Sequence, residues 1–464
     1  MRLATSAWEP DAPTRRAALF GAWLLGALGL GVLYPLSALA ISPLVLPALA
    51  VVLVLAVVSA SRPHIGVAAA LAIAPLGAFG VSGQVLKLFL LGWGVYLFGL
   101  ALLRGRTTRS SPGMPRLAIV LVLYLAVAVA AFALSSEPTE ARRLMRTLIT
   151  GLLLFGTVSL TVRDRKQVLW ILGGASLAAL MVGGLATVDY LRGTGTDGGF
   201  LTNSGEVVSR VTAGFAHPNQ LGGFLVLLVP LGIAGALLHP RARLFHLAAA
   251  ALAVGGIYAS FSRGALIGLV LVPFAFLRGR RALVVVPVIV LLLGFAAPNL
   301  LVERFATLTS SGGEASTRVD IWRSALQIGE SHPIAGVGLG GFPQAYANAR
   351  IAGKAFLPQT IFEPPPHAHN LFLHLFAEEG LLGLLALLAV VTAAVRATLA
   401  LRRAPDRWTR VMGCGLLAAL VAFLVHNQFD VTLFDVSTAI EFWAVLGLIS
   451  ALPEFALTPS HASE

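Results

Sequence analysis

The chain has 464 residues, of which 57% are hydrophobic and only 12% are charged. Since a soluble domain usually carries about 25% charged residues, this composition excludes an ordinary soluble enzyme. The net charge of +12 does not indicate nucleic-acid binding, because the basic residues lie between apolar blocks, where membrane topology places them.

Apolar blocks of roughly 17 to 25 residues recur along the chain, and a helix of this length crosses the hydrocarbon core of a bilayer. We predict an all-α polytopic membrane protein with about 12–14 transmembrane helices, because lipid offers no partner to unpaired backbone groups. The predicted spans, in chain order, are 17–34, 40–60, 65–81, 85–103, 117–134, 147–162, 167–187, 220–238, 246–261, 264–277, 282–298, 371–396, 411–428 and 436–453.

These spans form one integral membrane domain with three segments. Residues 1–298 contain transmembrane helices and a loop at 190–220, residues 299–368 form a large Pro-rich loop, and residues 369–464 contain the last transmembrane helices. The single cysteine, Cys414, excludes an intramolecular disulfide. No cleavable signal peptide is expected, because no small-residue cleavage site follows the first apolar block.

The large loop is predicted to be partly helical. Its segment Arg318–Gln327 has an amphipathic pattern, with Val319, Trp322 and Leu326 on one side. Because a loop of this length in a compact protein is usually functional or disordered, we interpret it as a folded cap on the membrane surface.

The distribution of basic residues predicts the orientation of the chain. With a cytoplasmic N-terminus, every second connecting segment is basic, as the positive-inside rule requires. An even number of helices returns the C-terminus to the cytoplasm, and the two long loops then face the periplasm of a bacterial inner membrane. The basic residues of the cytoplasmic loops are Arg104, Arg106, Arg109, Arg116, Arg163, Arg165, Lys166, Arg241, Arg243, Arg278, Arg280, Arg281, Arg402, Arg403, Arg407 and Arg410.

Several arginines lie in outward-facing segments, against this trend. A guanidinium group binds phosphate through two parallel hydrogen bonds, which favours a cleft for a lipid pyrophosphate. Arg210 and Arg263 are the main candidates, because each lies close to an apolar block, where a charge requires a dedicated partner. The alternative is that these side chains bind lipid headgroups or pair with nearby carboxylates.

A Pro-rich segment ends in His367 and His369, directly before a long apolar helix. Histidine transfers protons near neutral pH, so either imidazole is a candidate catalytic base that accepts a proton from a sugar hydroxyl. The alternative is a histidine that caps the helix or contacts a lipid headgroup. A zinc site is not expected, because the chain has no HExxH or cysteine pattern.

Four polar residues are predicted to support these candidates. His217 precedes Asn219, which is a predicted helix N-cap, and Asn370 opens the long apolar helix. Glu378 lies inside that helix, where a carboxylate requires a partner or a water-filled cavity. A further polar cluster, His426–Asp430, either lines the same cleft or consists of ordinary interfacial residues, and we favour the interfacial interpretation.

Four motifs occur in order between residues 205 and 385: RVTAGFAHPNQLGGFL, FSRGALIGL, RVDIWRSALQIGESHPIAGVGLGGF and HNLFLHLFAEEGLLG. Each resembles an element of the bacterial O-antigen ligase and O-antigen polymerase superfamily. The resemblance implies a GT-C-type glycosyltransferase fold. It also implies a metal-independent, inverting transfer of a glycan from undecaprenyl pyrophosphate, with no cofactor.

By matching motifs, the resemblance implies that His369 is the base, that Arg210 and Arg263 bind the donor pyrophosphate, and that Arg318 contributes from the large loop. The chain reads PHAHN, which leaves open whether His367 shares or replaces the role of His369. In a ligase the acceptor is a lipid A-core hydroxyl, and in a polymerase it is a second lipid-linked glycan; we favour the ligase. The alternative from another class is a transporter of a lipid-linked or anionic solute, against which the chain shows no duplicated halves.

Overall fold

The computed structural model describes residues 45–79, 83–105, 116–201, 207–277, 281, 314–351 and 365–453. The predicted spans 17–34 and 282–298 lie outside the described residues. Within the described residues, the fold is a bundle of fourteen α-helices with one two-stranded sheet, and the prediction of an all-α polytopic membrane protein is confirmed.

The first half of the described chain contains seven α-helices and the β-hairpin. Their bounds are α1 Val45–Ser61, α2 Pro63–Ile73, α3 Gly83–Gly105, α4 Arg116–Ala133, α5 Pro138–Thr161, α6 Arg165–Arg192, β1 Thr196–Leu201, β2 Val207–Val211 and α7 Pro218–Leu238. Two 3₁₀ helices, Ala74–Phe79 and Pro240–Ala242, follow α2 and α7.

The second half contains the other seven α-helices. Their bounds are α8 Arg243–Ser260, α9 Arg263–Phe276, α10 Glu314–Ser331, α11 Phe342–Ile351, α12 Leu371–Arg402, α13 Arg407–His426 and α14 Val436–Ala451. The hydrophobic blocks of the sequence therefore predict the long helices well, with differences mainly at the ends.

Seven of the described helices are long and apolar enough to cross a membrane, and five shorter apolar helices of 10–17 residues accompany them. Helices α7 and α14 are buried along most of their length. They occupy the interior of the bundle, whereas α12 exposes many leucines on its outer side, among them Leu381, Leu382 and Leu385. The chain is a multi-pass membrane protein.

Polar N-caps define where several of these helices begin. The carboxylate of Asp164 accepts a hydrogen bond from the backbone N–H of Gln167 at 2.9 Å at the start of α6, and Asp406 does the same for Thr409 at the start of α13. Such caps satisfy backbone donors that have no partner within the helix. Asp435 caps α14 in the same way.

The loop predicted at 190–220 contains a β-hairpin that the sequence analysis did not predict. Strands β1 and β2 pair antiparallel, with Phe200 opposite Val208 and an irregularity in register between Thr196 and Gly199. Strand β2 carries Arg210, and the segment that follows it ends in His217, directly before α7.

The described part of the large loop forms a cap of two helices, α10 and α11. The prediction of a helix at Arg318–Gln327 is correct, but of the predicted apolar side only Trp322 packs against other elements. Val319 and Leu326 are exposed, and the cap instead buries Ile321, Ala325 and Ile328 against other elements. Successive residues of a helix point in different directions. An error of one residue in the assumed periodicity therefore moves the predicted apolar face to another side of the helix.

Helix α12 is interrupted at Gly380, whose backbone (φ 65°, ψ −161°) is not helical. The backbone groups released there bond to the segment between α10 and α11. The N–H of Leu381 donates to the carbonyl of Pro333 at 2.8 Å, and the N–H of Gly338 donates to the carbonyl of Glu378 at 3.0 Å. The cap is therefore joined to α12 through main-chain hydrogen bonds.

Candidate active site

Asn370 sets the start of α12 and ties it to a neighbouring turn. Its side-chain oxygen accepts hydrogen bonds from the backbone N–H groups of Phe372 at 3.0 Å and Leu373 at 3.1 Å. Its amide nitrogen donates to the carbonyl oxygen of Gln428 at 3.1 Å. The supporting role predicted for Asn370 is thus a helix cap that also joins the turn between α13 and α14.

The two histidines before α12 face the same carboxylate. Nδ1 of His369 lies 3.3 Å from Oδ1 of Asp430, and Nε2 of His367 lies 3.6 Å from the same oxygen. The imidazole rings meet edge to face, with centroids 4.4 Å apart. Asp430 is buried, whereas the histidine side chains retain about a fifth of their surface exposed, at 20% and 22%. The cluster therefore has a buried carboxylate behind two accessible imidazoles.

The charges around this cluster favour an ionised carboxylate. Burial alone would raise the pKa of Asp430, but its interactions with the imidazoles of His369 and His367 and with the charge of Arg318 outweigh burial and hold this pKa well below its ordinary value. Burial also lowers the pKa of His367 to about 4, with a further contribution from His369. His367 is therefore neutral at physiological pH.

Asp430 is the principal residue that the sequence analysis missed. The sequence analysis favours an interfacial role for its cluster over a place in the cleft, because its position after the end of α13 gives no indication of what packs beside it. The available signal was the unusual density of polar residues in His426–Asp430 at the end of an apolar helix.

Arg210 lies in strand β2 and is almost completely buried, with 3% of its surface exposed. Its Nε donates to the carbonyl oxygen of Ser260 at 2.9 Å, and its Nη2 donates to Oδ1 of Asn219 at 2.8 Å. The guanidinium group therefore joins the end of α8 to the first turn of α7.

The predicted N-cap of α7 is wrong by two residues. His217 is the cap, and its Nδ1 accepts a hydrogen bond from the backbone N–H of Asn219 at 3.1 Å. Pro218 occupies the first helical position, which suits a residue without an N–H group. Asn219 instead holds Arg210. The imidazole ring of His217 thus has one nitrogen committed to the helix start.

Arg263 is the first residue of α9 and is buried, with 6% of its surface exposed. The adjacent Gly264 packs against the end of α13, since a Cβ atom there would lie 3.1 Å from Nδ1 of His426. Gly223 of α7 approaches the same ring from another side, at 2.7 Å from Nε2. The starts of α7 and α9 therefore converge on the buried ring of His426, a second site residue that the sequence analysis did not single out.

The cap contributes two side chains above the cluster. Nη1 of Arg318 donates to the carbonyl oxygen of Phe429 at 2.7 Å, next to Asp430. Nε1 of Trp322 donates to the carbonyl oxygen of His369 at 3.3 Å. Helix α10 is thereby fixed directly over the histidines, and Arg318 adds a positive charge near the carboxylate.

These separate contacts belong to one cluster. Burial lowers the pKa of His217, Asp430 partly offsets this, and the charges of Arg210, His369 and Arg318 lower it further. The start of α7, the histidine pair and the cap arginine therefore interact electrostatically.

Backbone strain is concentrated in the same place. Within the described residues, the non-glycine residues with positive φ are Ala213 at 44°, Phe261 at 46° and His369 at 49°. Each lies in one of the segments that form the cluster. Such conformations cost about 1–3 kcal/mol and persist only where the surrounding structure enforces them, which is typical of functional sites.

Glu378 does not join this cluster, contrary to the supporting role suggested by its position. Its carboxylate accepts hydrogen bonds from the backbone N–H groups of Gly340 at 2.7 Å and Phe342 at 3.0 Å, and so caps α11. Its Oε2 also lies 3.7 Å from Nε2 of His374. The structure therefore gives Glu378 a role in holding the cap on α12.

His367, His369 and Asp430 are also close enough to share a metal ion, with candidate donor atoms within 4.8 Å of one another. The hydrogen bonding argues against this use. Nδ1 of His367 accepts a hydrogen bond from the backbone N–H of His369 at 3.3 Å, so in the neutral ring the proton is on Nε2, the atom that faces Asp430. A metal ligand requires the opposite arrangement, with a free lone pair on the atom that faces the ion.

This arrangement is suited to proton transfer beside an anion. A carboxylate next to Nδ1 of His369 favours the tautomer with its proton on Nδ1 and leaves Nε2 free to accept a proton. The positive ends of α7, α9 and α12 and the nearby arginines favour bound negative charge.

Residues 247–388 match a protein family model described as O-antigen ligase. The matched segment contains Arg263, Arg318 and both histidines of the cluster, whereas Arg210 and Asp430 lie outside it. No curated protein sequence matches the chain.

Proposed function

Because residues 247–388 of this chain match the O-antigen ligase family model, we propose that the protein transfers a glycan from undecaprenyl pyrophosphate to a hydroxyl group of lipid A-core, with inversion. The reaction takes place on the periplasmic face of the bacterial inner membrane. The observation that carries this proposal is the imidazole of His369, which has the ionised carboxylate of Asp430 3.3 Å from its Nδ1.

In the proposed step, the acceptor hydroxyl oxygen forms a bond to the anomeric carbon of the donor sugar. The bond from that carbon to the pyrophosphate oxygen breaks, and its electron pair leaves with the lipid pyrophosphate. Nε2 of His369 takes the hydroxyl proton, and Asp430 stabilises the resulting imidazolium ion. A carboxylate that orients an imidazole and stabilises its charged form is a general arrangement for proton transfer.

His367 is assigned to positioning rather than to proton transfer. Its Nδ1 is occupied by the backbone N–H of His369, and its Nε2 faces the carboxylate that it shares with that residue. Because its pKa is about 4, it stays neutral and leaves the negative charge of Asp430 available to His369.

The departing pyrophosphate gains negative charge as the bond breaks, so nearby positive charge lowers the barrier. Arg263 and Arg318 are proposed to contact it. Arg210 is proposed to act through its charge and by fixing the start of α7, since two of its donors already bond to Ser260 and Asn219. No metal ion is required, because the arginines and three helix starts supply the positive charge.

A reconstituted transfer assay tests this proposal. Purified protein receives a lipid-linked glycan and either lipid A-core or a second lipid-linked glycan, and the products are separated by mass. We expect glycan on lipid A-core, and we expect a chelator to leave the rate unchanged. A product made only from two lipid-linked units identifies a polymerase, and movement of intact donor across proteoliposomes without transfer identifies a transporter.

Matched variants test the residue assignments in the same assay. We expect His369→Ala and Asp430→Asn to lower the rate at least about 100-fold, which is typical of losing a general base. His332→Ala changes an exposed histidine of the cap and serves as the control, with an expected rate close to that of the unmodified protein. A fully active His369→Ala protein would exclude the proposed base.

A further inference from the structure

A concavity flanked by two arginines lies at the connection between α4 and α5, outside the candidate active site. It has a volume of about 280 Å³ and is lined by Phe132, Thr139, Arg142, Met145 and Arg146. Phe132 is near the end of α4, and the other four residues belong to the first turns of α5. The cavity is therefore formed where two apolar helices meet at one end of the bundle.

The two arginines of this cavity have no acidic partner within the described part of the chain. Arg142 donates to Oγ1 of Thr139 at 3.3 Å, and Nε of Arg146 donates to the carbonyl of Arg142 at 3.3 Å. Arg143 lies between them in sequence and forms an ion pair with Glu140. The carboxylate of Glu140 therefore pairs with Arg143, which does not line the cavity.

The positions of Arg142 and Arg146 bring their charges together. Residues four apart lie on the same face of a helix, and two like charges in that arrangement repel each other. A bound anion relieves this repulsion, and guanidinium groups hold phosphate through paired hydrogen bonds. The cavity therefore favours a negatively charged ligand.

The accessible surface inside the cavity is almost entirely apolar, so the arginines line it with their hydrocarbon stems. Phe132 and Met145 form its hydrophobic wall, and α5 continues as a helix long and apolar enough to cross a membrane. A charged residue near the end of such a helix lies at the level of the lipid headgroups. The ligand must then combine a phosphate with a hydrocarbon chain.

We propose that this concavity binds an anionic phospholipid, with the phosphate between Arg142 and Arg146 and an acyl chain against Phe132 and Met145. The site is separate from the proposed donor site and does not depend on the proposed transfer reaction. A zwitterionic lipid fits it less well, because its positive group meets two guanidinium groups.

Native mass spectrometry of the full chain in detergent tests this proposal. The protein is titrated with phosphatidylglycerol and, separately, with phosphatidylcholine of the same acyl chains. We expect preferential binding of phosphatidylglycerol, and we expect Arg142→Gln with Arg146→Gln to weaken it by about tenfold or more. Equal affinity of the double variant and the unmodified protein would overturn the proposal.

The control is Arg241→Gln with Arg243→Gln, which removes the same charge from two exposed arginines. We expect this control to bind phosphatidylglycerol like the unmodified protein. A second pair of substitutions, Arg142→Lys with Arg146→Lys, keeps the charge and loses the paired hydrogen bonds, so a partial loss supports the phosphate geometry. Displacement of the lipid by an equal concentration of inorganic phosphate would overturn the assignment to a lipid. Transfer activity is not measured, so this result is independent of the proposed function.

Discussion

The position of His369 is set by its own backbone conformation and by the side chains of its neighbours. Its φ of 49° turns the chain at the start of α12. Its carbonyl is held by Trp322 and its N–H by His367. The imidazole is therefore fixed by neighbours on both sides before any substrate binds. Fixed geometry of this kind allows a base to act without reorganisation during the reaction.

The pKa of His367 predicts a dependence of stability on pH. In the folded protein burial lowers this pKa to about 4, from an ordinary value of 6.5. Between these two pKa values the unfolded chain binds a proton that the folded chain does not. The free energy of unfolding therefore rises as the pH rises through this window, and the contribution of His367 to stability is lost as the pH falls through it. The slope for one such group is at most about 1.4 kcal/mol per pH unit.

We therefore expect His367→Asn to flatten the pH dependence of thermal unfolding between about pH 4 and 6.5. Melting temperatures of both proteins in the same detergent measure this effect. His217, whose pKa is also lowered, is still present in this variant. Part of the dependence of stability on pH therefore remains. An unchanged slope in the variant would show that the folded protein does not hold His367 as a neutral ring.

At the scale of secondary-structure elements, the interruption of α12 explains how the cap is held against this helix. Gly380 releases backbone groups of α12, and the segment from Pro333 to Gly338 bonds to them. Glu378 completes the junction by capping α11. The cap that carries Arg318 is thereby held in position relative to the histidines at the start of the same helix.

We expect Gly380→Ala to lower the free energy of unfolding by about 2 kcal/mol or more, because its backbone conformation is nearly exclusive to glycine. A Cβ atom would also overlap the carbonyl oxygen of Ile334. Thermal unfolding and transfer activity measure the effect, and both decrease if the cap shifts.

The matched control is Gly173→Ala in α6. A Cβ atom at Gly173 meets nothing within 4 Å, and alanine in a helix is more stable than glycine by roughly 0.5–1 kcal/mol. This variant is expected to be as stable as the unmodified protein or slightly more so. Equal losses at Gly380 and Gly173 would contradict the role assigned to the interruption.

At the scale of the whole molecule, two loops predicted to be cytoplasmic lie together. Nη2 of Arg165, at the start of α6, lies 3.0 Å from Oδ1 of Asp406, at the start of α13. The guanidinium group of Arg165 also stacks over the ring of Trp408 at 5.1 Å. The two basic loops thus belong to the same end of the bundle, as the positive-inside prediction requires.

Cysteine labelling tests the predicted orientation. In a Cys414→Ser background, single cysteines replace the exposed Lys166 and Thr194, which lie at opposite ends of α6. We expect a membrane-impermeant maleimide to label Thr194→Cys in intact spheroplasts and Lys166→Cys only after the membrane is permeabilised. The reverse pattern would place the proposed active site in the cytoplasm.

The sequence by itself determined the class of the protein and most of its long helices. Apolar blocks of membrane length, separated by basic loops, follow from the cost of exposing polar backbone and charge to lipid, and this cost acts locally along the chain. The motifs around Arg210, Arg263 and His369 were found for the same reason, because polar residues beside apolar blocks are conspicuous in the sequence.

Only the tertiary structure decided which of these residues act together. Arg318 reaches a carbonyl 111 residues away, and Arg210 reaches one 50 residues away. Asp430 lies beside the histidines, although its local sequence shows only a dense polar cluster. The structure also decided the role of Glu378 and the buried face of α10. Periodicity gives the face of a helix only approximately, whereas the role of a buried carboxylate depends on which groups pack against it.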